Sequence, residues 1–399
     1  MVRNSIIRRI LSSEDEYSDL YDLLLRLSLC DESLPSLAVR HSITSLSTLH
    51  THGLAAARIT QGKAICAIRH TIASGLNRPN AILQVIAASL LMLLHEIYSR
   101  EPSPTAWTGF LCGSEQLAKL IYEYDETYEG DFALILDWLF YHHVMYKFTI
   151  RHWARRKEEQ FKLAEEPAMI SKAMFSPMRN IVHFPPYENN KSIADYVQIL
   201  PTLGCSLELL DLLTSVIDVI IDKRDPEYLS EKHRQAIRAL DNRLCTIRQT
   251  ERIRLSHPPS DGQSNENHER DTANLFRLAI RVYLERVGNR CRSSTNPEKL
   301  NELAGQAFRL ISALGRVNQR FPIFVVALEA RTDEQRALIL RALANTEERR
   351  VPNELSSIRA MVQSAWVKMD LSLDSNLGLD SLGLYNDVIG WNVVPPAFT

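Results

Sequence analysis

The sequence predicts an all-α protein, built as an array of antiparallel helical hairpins that form one large helical domain. Apolar residues recur at helical spacing throughout the 399-residue chain, and the alternation typical of a strand extends over no more than about four residues. Glycine is scarce, at 14 residues, whereas leucine is abundant. Because glycine favours turns and leucine favours helices, this balance supports the helical prediction.

The first hundred residues predict three helices with an apolar face. The first carries four leucines at the i, i+3, i+4 and i+7 positions of one face: Leu20, Leu23, Leu24 and Leu27. The second has a predicted apolar face of Ala57, Ile59, Ala64, Ile65, Ile68 and Ile72. The third covers residues 81–97 and is apolar on most sides, but it falls short of the ~20 residues needed to cross a membrane. It is therefore predicted to be a buried core helix of a soluble protein.

Further helices follow, and the segment RFPIFVVALEARTDEQRALILRAL at 320–343 predicts a helical hairpin. Pro322 fits the first turn of its first helix, where the missing N–H has no partner to lose. Thr332 begins the sequence Thr-Asp-Glu-Gln, a capping box in which Thr332 caps backbone amides and Gln335 reaches back. The second helix is expected to bury Leu338 and to leave Arg336 in solvent.

Composition divides the chain into a long helical part with short flanking segments. Residues 1–14 form a basic N-terminal segment, and 15–372 form the helical domain. Within this domain, residues 255–272 are polar and contain Pro-Pro and Asp-Gly, which predicts a flexible insert. Residues 373–399 end in a second Pro-Pro pair and are expected to form an irregular C-terminal tail.

Charge and cysteine content exclude several classes of protein. The net charge of −2 provides no general attraction to nucleic acid or anionic lipid. The basic N-terminus lacks the apolar core of a secretory signal. The cysteines are widely spaced without a CxxC pair, so they predict buried free thiols in a reducing compartment, not a zinc module. They stand at Cys30, Cys66, Cys112, Cys205, Cys245 and Cys291.

The candidates for catalysis or metal binding are weak. His95 begins HEIYS, in which Ser99 occupies the place of the second histidine of an HExxH site. His142 and His143 are adjacent and project to different sides of a helix, so one metal ion would not bind both, and His152 adds no defined third ligand. No GxSxG surrounds Ser114, and no phosphate-binding loop occurs. The sequence therefore predicts no enzyme, no cofactor and no metal site.

Three groups of residues are candidates for binding, each with a plainer alternative. LxxLL-like sequences at 20–24, 90–94 and 209–213 have the spacing of a helix that enters a partner's groove, although core packing is favoured. The partner-binding candidates are Leu20, Leu23 and Leu24. A basic cluster is a candidate import signal or phosphate contact, with an exposed helix end as the favoured alternative: Arg151, Arg155, Arg156 and Lys157. Aromatic candidates for a ligand cavity, or for ordinary core, are Trp107, Phe110, Trp138, Phe321 and Phe324.

The order of several segments carries a family resemblance. An apolar helix, a polar break and Trp107 precede Leu-Cys-Gly at 111–113, and the aromatic helix LDWLFYHHVMYKFT follows. The Phe-Pro hairpin at 320–343 and a closing helix with Trp366 complete the order. Together these segments, over about residues 15–372, resemble the fungal-specific transcription factor domain. In fungal activators this regulatory region lies C-terminal to a binuclear zinc cluster.

The resemblance implies a nuclear, or alternatively cytoplasmic, regulator of transcription. It would act through protein partners of the transcription machinery or through a small-molecule effector, and a homodimer is left open. The six-cysteine zinc cluster of such activators is not found in this sequence, so direct DNA binding is unsupported. The alternatives are an accessory protein or enzyme of a specialised metabolic pathway, and a helical interaction scaffold.

Overall fold

The computed structural model describes residues 19–99, 106–123, 129–163, 197–200, 202–221, 225–228, 230–250, 262–288, 297–349, 355–374 and 381–398. Helices dominate these stretches, so the all-α prediction is confirmed. The first six are α1 Asp19–Leu29, α2 Leu34–His52, α3 Leu54–Ala73, α4 Pro79–Tyr98, α5 Ala106–Glu123 and α6 Gly130–Leu163. A short hairpin follows, β1 Ile199–Leu200 and β2 Cys205–Ser206. The later helices are α7 Leu207–Val219, α8 Glu231–Thr246, α9 Gly262–Tyr283, α10 Pro297–Leu314, α11 Arg320–Ala327, α12 Asp333–Arg349, α13 Ser356–Asp374 and α14 Ser381–Gly390.

The chain divides into two compact units, whereas one domain is predicted over 15–372. Unit one contains Met1–His143 and Pro167–Lys191, and unit two contains Val144–Glu166 and Ser192–Thr399. The division falls inside α6. Periodicity shows which face of a helix is apolar, but it does not show which helices share a core, and this is why the sequence pattern missed the division.

In unit one, helix α4 is the central packing element. Residues 82–96 are all buried, and α2 and α5 both pack against this helix. At 20 residues it is long and apolar enough to cross a membrane, so the length argument from the sequence was wrong. However, 83% of the apolar window is buried inside the protein, which is typical of a core helix in a soluble protein.

Gln84 joins three helices of unit one through its side-chain amide. Its Nε2 atom donates to the carbonyl oxygen of Leu27 at 3.0 Å and to Ser36 Oγ at 2.9 Å, and it also lies 3.1 Å from Cys30 Sγ. A buried amide without such partners would cost about 1–3 kcal/mol. The polar interruption of α4 therefore holds α1 and α2 in place.

Helices α1 and α3 differ in how well their sequence pattern predicts burial. Leu20, Leu23 and Leu24 of α1 are at most 1% exposed, as expected of a core face. In α3 the predicted face is partly wrong, because Ile59 is 70% exposed and Ile72 is 47% exposed. The buried side of α3 keeps Ala57, Ala64 and Ile68 of the predicted face and adds Ala67 and Thr71. Small side chains allow α3 to lie close to α2, with which it packs extensively.

His95 is a buried titratable residue in the core of unit one. Its side chain is 0% exposed, and its Nδ1 atom lies 3.1 Å from Ser45 Oγ on α2. Burial, with a smaller contribution from the charge of His50, lowers the pKa of His95 to about 4. The folded protein therefore holds this ring neutral across the physiological pH range.

Acidification is expected to destabilise unit one through His95. The unfolded chain binds a proton at His95 near pH 6.5, whereas the folded chain binds it near pH 4, so stability falls as the pH decreases between these values. The free energy of unfolding falls by on the order of 3 kcal/mol over this range. Hydrogen exchange of the backbone amides of α2 and α4 between pH 7 and pH 4 measures this loss of stability. The His95→Gln variant should lose this dependence, and an unchanged pH profile in that variant would contradict the assignment.

Unit two begins with the β1–β2 hairpin, which leads directly into α7. Ile199 pairs with Ser206 and Leu200 with Cys205 in antiparallel register. Gly204 has a φ of +71°, so the turn favours glycine, and a Cβ atom at this position would require the end of the Gln319 side chain to move. Ser206 then caps α7, since its Oγ accepts from the amide of Leu209 at 3.3 Å.

The α11–α12 segment matches its predicted local chemistry. Pro322 lies in the first turn of α11, and every residue of this helix is buried. The capping box is confirmed. The backbone N–H of Gln335 donates to Thr332 Oγ1 at 3.3 Å, and the backbone N–H of Thr332 donates to Gln335 Oε1 at 3.3 Å. Arg336 was expected in solvent, but it forms a two-point ion pair with Asp370 of α13 and is only 21% exposed.

Two predicted irregular segments contain helix. Helix α9 begins at Gly262, so the expected flexible insert at 255–272 is helical from that residue onward, and residues 255–261 lie outside the described residues. The expected irregular tail at 373–399 contains α14, Ser381–Gly390. In both segments polar or proline-containing composition was taken as a loop signal. Burial of α14 residues such as Tyr385 and Ile389 outweighs that local signal.

Candidate functional site

Four helices and the C-terminal segment of unit two bring a group of aromatic rings into one core. We call these seven residues the aromatic cluster. Each is at most 1% exposed. They are Phe148 of α6, Phe276 and Tyr283 of α9, Phe321 and Phe324 of α11, Tyr385 of α14, and Phe398 beyond α14. Phe321 and Phe324 stand three residues apart, the spacing that places two side chains on one helix face.

Phe148 lies at the centre of the aromatic cluster. Its ring centroid is 4.9 Å from that of Phe321, 5.0 Å from Phe398 and 5.3 Å from Tyr283. These pairs are arranged edge to face, with interplanar angles of 75–89°. This geometry places the positive edge of one ring against the negative face of the next. Phe148 therefore connects α6 to α9, α11 and the C-terminal segment at one point.

A chain of hydrogen bonds through His152 adjoins the cluster. His152 stands one turn after Phe148 on α6 and is fully buried. Its Nδ1 atom lies 2.8 Å from Asn386 Oδ1, and its Nε2 atom lies 2.7 Å from the hydroxyl oxygen of Tyr283. Because an amide oxygen only accepts, Nδ1 carries the proton, and in the neutral ring Nε2 accepts from the Tyr283 hydroxyl. The chain thus fixes the tautomer of His152.

Tyr385 brings a second hydroxyl into the same core. Its ring centroid lies 5.3 Å from both His152 and Tyr283, and within the described residues its hydroxyl has no hydrogen-bond partner. Burial raises the pKa of Tyr385 well above its ordinary value, and the charge of Glu329 adds to this effect. An unpaired buried hydroxyl costs about 1–3 kcal/mol. The cluster therefore contains a polar group whose hydrogen-bonding capacity is not used.

A buried ion pair lies beside Tyr385. Arg286 donates from Nε to Glu329 Oε1 at 2.7 Å and from Nη2 to Glu329 Oε2 at 2.6 Å. The Glu329 side chain is 5% exposed. Burial alone would lower the pKa of Arg286, but the hydrogen bonds and charge of Glu329 outweigh it and raise this pKa. The pair joins the π-helical turn after α9, Leu284–Gly288, to the end of α11.

A second charged group connects α8, α9 and α10. Lys299 Nζ lies 2.8 Å from Asp241 Oδ2 and 3.1 Å from Glu285 Oε2. Arg281 Nε also contacts Asp241, at 3.3 Å. Since Glu285 precedes Arg286 in the π-helical turn, that turn is held by charged partners on two elements.

The five aromatic residues proposed from sequence for a ligand cavity belong to two units. Phe321 and Phe324 enter the aromatic cluster of unit two. Trp107 and Trp138 are 3% and 6% exposed in the core of unit one, and Phe110 is half-buried there. Trp138 packs against His142, with ring centroids 5.6 Å apart. The structure therefore brings together two of the five, with partners that the sequence did not indicate.

The structure also places the proposed partner and phosphate contacts. The leucines of all three LxxLL sequences are buried, including Leu20, Leu23 and Leu24, so they form core rather than a free binding face. Arg151 is half-buried and donates from Nη2 to the carbonyl oxygen of Ile220. The side chains of Arg155, Arg156 and Lys157 lie outside the described residues.

Two polar residues considered for catalysis or metal binding, Ser114 and His143, have hydrogen-bond partners within unit one. Ser114 Oγ donates to the carbonyl oxygen of Phe110 at 2.8 Å. His143 Nδ1 lies 2.8 Å from Glu115 Oε1. Across the described ranges, no three histidine, cysteine or acidic side chains are grouped so as to hold a metal ion. The five described cysteines are free thiols, but only Cys205 among them is fully buried, which differs from the predicted burial.

Comparison with known proteins identifies the family. The model of the fungal specific transcription factor domain matches residues 3–393, nearly the whole chain. The chain belongs to this family. "Transcription factor iacI" of Pestalotiopsis fici is 24% identical over 358 residues, which cover 88% of this chain and 82% of that protein. No solved structure matches.

As a member of the fungal specific transcription factor domain family, the protein is a fungal transcription regulator. The family match extends beyond the segments that carried the resemblance, which ended near residue 372. It includes α14, and hence Tyr385 and Asn386 of the polar core. Sequence patterns missed these residues, because a hydroxyl or amide within an apolar helix gives no periodic signal.

Proposed function

We propose that this regulator responds to a small-molecule effector or a protein partner through the aromatic cluster of unit two, and that it acts in the nucleus. The observation that supports this most is the buried Tyr385 hydroxyl, which has no hydrogen-bond partner in the described residues. It lies in a core otherwise rich in aromatic rings and next to the paired His152. A core built for stability alone favours pairing of such a group.

The unused hydroxyl provides a physical basis for regulation. A conformation or ligand that supplies a partner to Tyr385 recovers part of the free energy that the present packing forfeits. A ligand shifts a conformational equilibrium only by its difference in affinity for the two states. A buried group that is unpaired in one state and paired in the other produces such a difference. In this proposal the protein has no catalytic role, and contacts with the transcription machinery transmit the response.

A reporter assay tests the proposed function. The full chain, fused to a heterologous DNA-binding domain, is expected to activate a reporter in yeast to a level that depends on growth conditions. The Tyr385→Phe variant removes only the hydroxyl and should lose this dependence on conditions. Tyr228→Phe, at a half-buried tyrosine before α8, is the matched control and should retain it.

Silence of the wild-type fusion, when it is expressed and nuclear in every condition, would contradict the proposal. In that case the aromatic cluster is better interpreted as core packing that does not transmit a regulatory response. If the wild-type and Tyr385→Phe fusions respond alike, the protein regulates transcription but does not sense its effector through this core.

A further inference from the structure

The segment after α14 places a ring in the aromatic cluster without forming regular structure. Residues 391–398, which we call the C-terminal strap, lie outside helices and strands. Phe398 near its end is 0% exposed, and its ring centroid lies 4.8 Å from Phe324 and 5.0 Å from Phe148. The earlier part of the strap is largely in solvent, with Trp391 64% exposed and Val393 79% exposed.

Side chains of unit two hold the strap through its carbonyl oxygens. Trp153 Nε1 donates to the carbonyl oxygen of Asn392 at 2.9 Å, and Thr149 Oγ1 donates to that of Pro396 at 2.9 Å. Arg320 Nη1 donates to the carbonyl oxygen of Ala397 at 3.4 Å. Pro395 and Pro396 have no backbone N–H, so neither can join a helix or a sheet ladder as a donor. Trp391 and Asn392 also donate backbone hydrogen bonds to α14. Release of the strap therefore requires the loss of these hydrogen bonds and of the burial of Phe398, but no helix or strand has to unfold.

Two rings that contact Phe398 also contact the polar part of the core. The ring centroid of Phe148 lies 5.2 Å from that of His152, and the ring centroid of Phe324 lies 6.1 Å from that of Tyr385. Both Phe148 and Phe324 contact Phe398. A phenyl ring fills aromatic space but carries no hydrogen-bonding group. The strap thus contributes an aromatic ring to this core, whereas the Tyr385 hydroxyl has no hydrogen-bond partner among the described residues.

We propose that the Phe398 position is a binding site for a small, neutral aromatic molecule with a hydrogen-bonding substituent, and that this ligand displaces the strap. The ring of the ligand would replace Phe398 between Phe148 and Phe324, and its substituent would pair with Tyr385. A neutral ligand is favoured because the rings around this position are fully buried and apolar, and an unpaired charge in such a core would be costly. The inference rests on the proposed function, since it names the effector class of the same core.

Because the ligand and the strap compete for one position, the stability of the strap determines the apparent affinity of the ligand. When only a fraction of molecules has an open site, the apparent dissociation constant equals the intrinsic one divided by that fraction. Weakening the strap raises the open fraction and tightens binding. Phe398→Ala removes the competing ring itself. Trp153→Phe removes the hydrogen bond to the carbonyl oxygen of Asn392. It leaves Phe148 and Phe324, which contact the Phe398 ring, unchanged.

The test is calorimetric titration of the purified full chain with 4-methylphenol and, separately, with toluene. Wild-type protein should bind 4-methylphenol, and hydrogen exchange at 391–398 should become faster at saturation. Phe398→Ala should bind it roughly tenfold more tightly or better, and Trp153→Phe should shift the affinity in the same direction. Adding Tyr385→Phe to Phe398→Ala should abolish the preference for 4-methylphenol over toluene. Phe308→Ala, at a buried ring of α10, is the control and should bind as the wild type does.

Equal binding of 4-methylphenol and toluene by Phe398→Ala would overturn the proposal. It would show that both molecules fill the cavity left by the missing ring and that Tyr385 does not recognise the hydroxyl group. Absence of binding by both wild-type protein and Trp153→Phe, or binding without faster exchange in the strap, would also overturn it. If Phe398→Ala does not fold, Trp153→Phe decides the matter. Binding as expected with a silent reporter would uphold this site and reject the regulatory role, whereas the converse would reject the site alone.

Discussion

Replacing Glu329 with alanine is expected to lower the free energy of unfolding of unit two by about 3–5 kcal/mol, the usual cost of leaving one buried charge of an ion pair alone. Arg286 would lose both of its close carboxylate contacts, at 2.6 and 2.7 Å. The remaining guanidinium, on a side chain that is 24% exposed, would then be largely removed from solvent without its counter-charge. Urea unfolding, followed by hydrogen exchange in α9 and α11, measures the loss within unit two.

Two controls separate this effect from a general loss of charge. Replacing both partners, with Arg286→Met and Glu329→Leu, should recover much of the stability, since no unpaired charge remains. Arg238→Ala breaks a pair with Glu231 in which the side chains are 69% and 60% exposed, and should cost about 0–1 kcal/mol. If Glu329→Ala and Arg238→Ala cost the same, the Arg286–Glu329 pair is not the buried contact described.

Replacing Phe148 with alanine is expected to destabilise unit two by about 3–5 kcal/mol, as for other large-to-small changes at a buried ring. The ring is fully buried and contacts Phe321, Phe398 and Tyr283. Its removal leaves a cavity where four elements meet, so α9 and α11 should lose protection together. Hydrogen exchange and denaturant unfolding of the variant measure this change.

Phe148→Leu is the matched control, because it preserves much of the buried volume and loses mainly the edge-to-face contacts, worth about 0.5–1.5 kcal/mol each. Its loss of stability should be well below that of the alanine variant. A Phe148→Ala protein with wild-type stability would show that the aromatic cluster does not hold unit two together.

Local sequence patterns predicted the individual helices well, but they predicted less well which face of each helix is covered by its neighbours. The leucine face of α1 and the Thr332–Gln335 capping box depend on residues within one or two turns, and both were predicted correctly. Ile59 of α3 was predicted to be buried, yet it is exposed. An isoleucine is apolar wherever it stands, and the neighbouring helix determines which side of α3 is covered.

The candidate site was only partly predictable. Phe321 and Phe324 were found because the Phe-Pro helix is unusually apolar, whereas Tyr385 and Phe398 lie in a tail whose prolines indicate irregular structure. The pairing of His152 with Tyr283 joins residues 131 positions apart. Such a contact leaves no trace in a single sequence, since neither residue alters the local periodicity around the other.

The sequence by itself determined the helical class, the capping chemistry and the family resemblance, because each depends on the identity and order of nearby residues. Only the tertiary structure decided that the chain forms two compact units, that Arg286 pairs with Glu329, and that the Phe398 ring enters the core that also contains the unpaired Tyr385 hydroxyl. These features depend on which helices share a core. Contacts between distant parts of the chain settle that question, and the free energy of burying apolar surface, which favours them, does not depend on separation along the sequence.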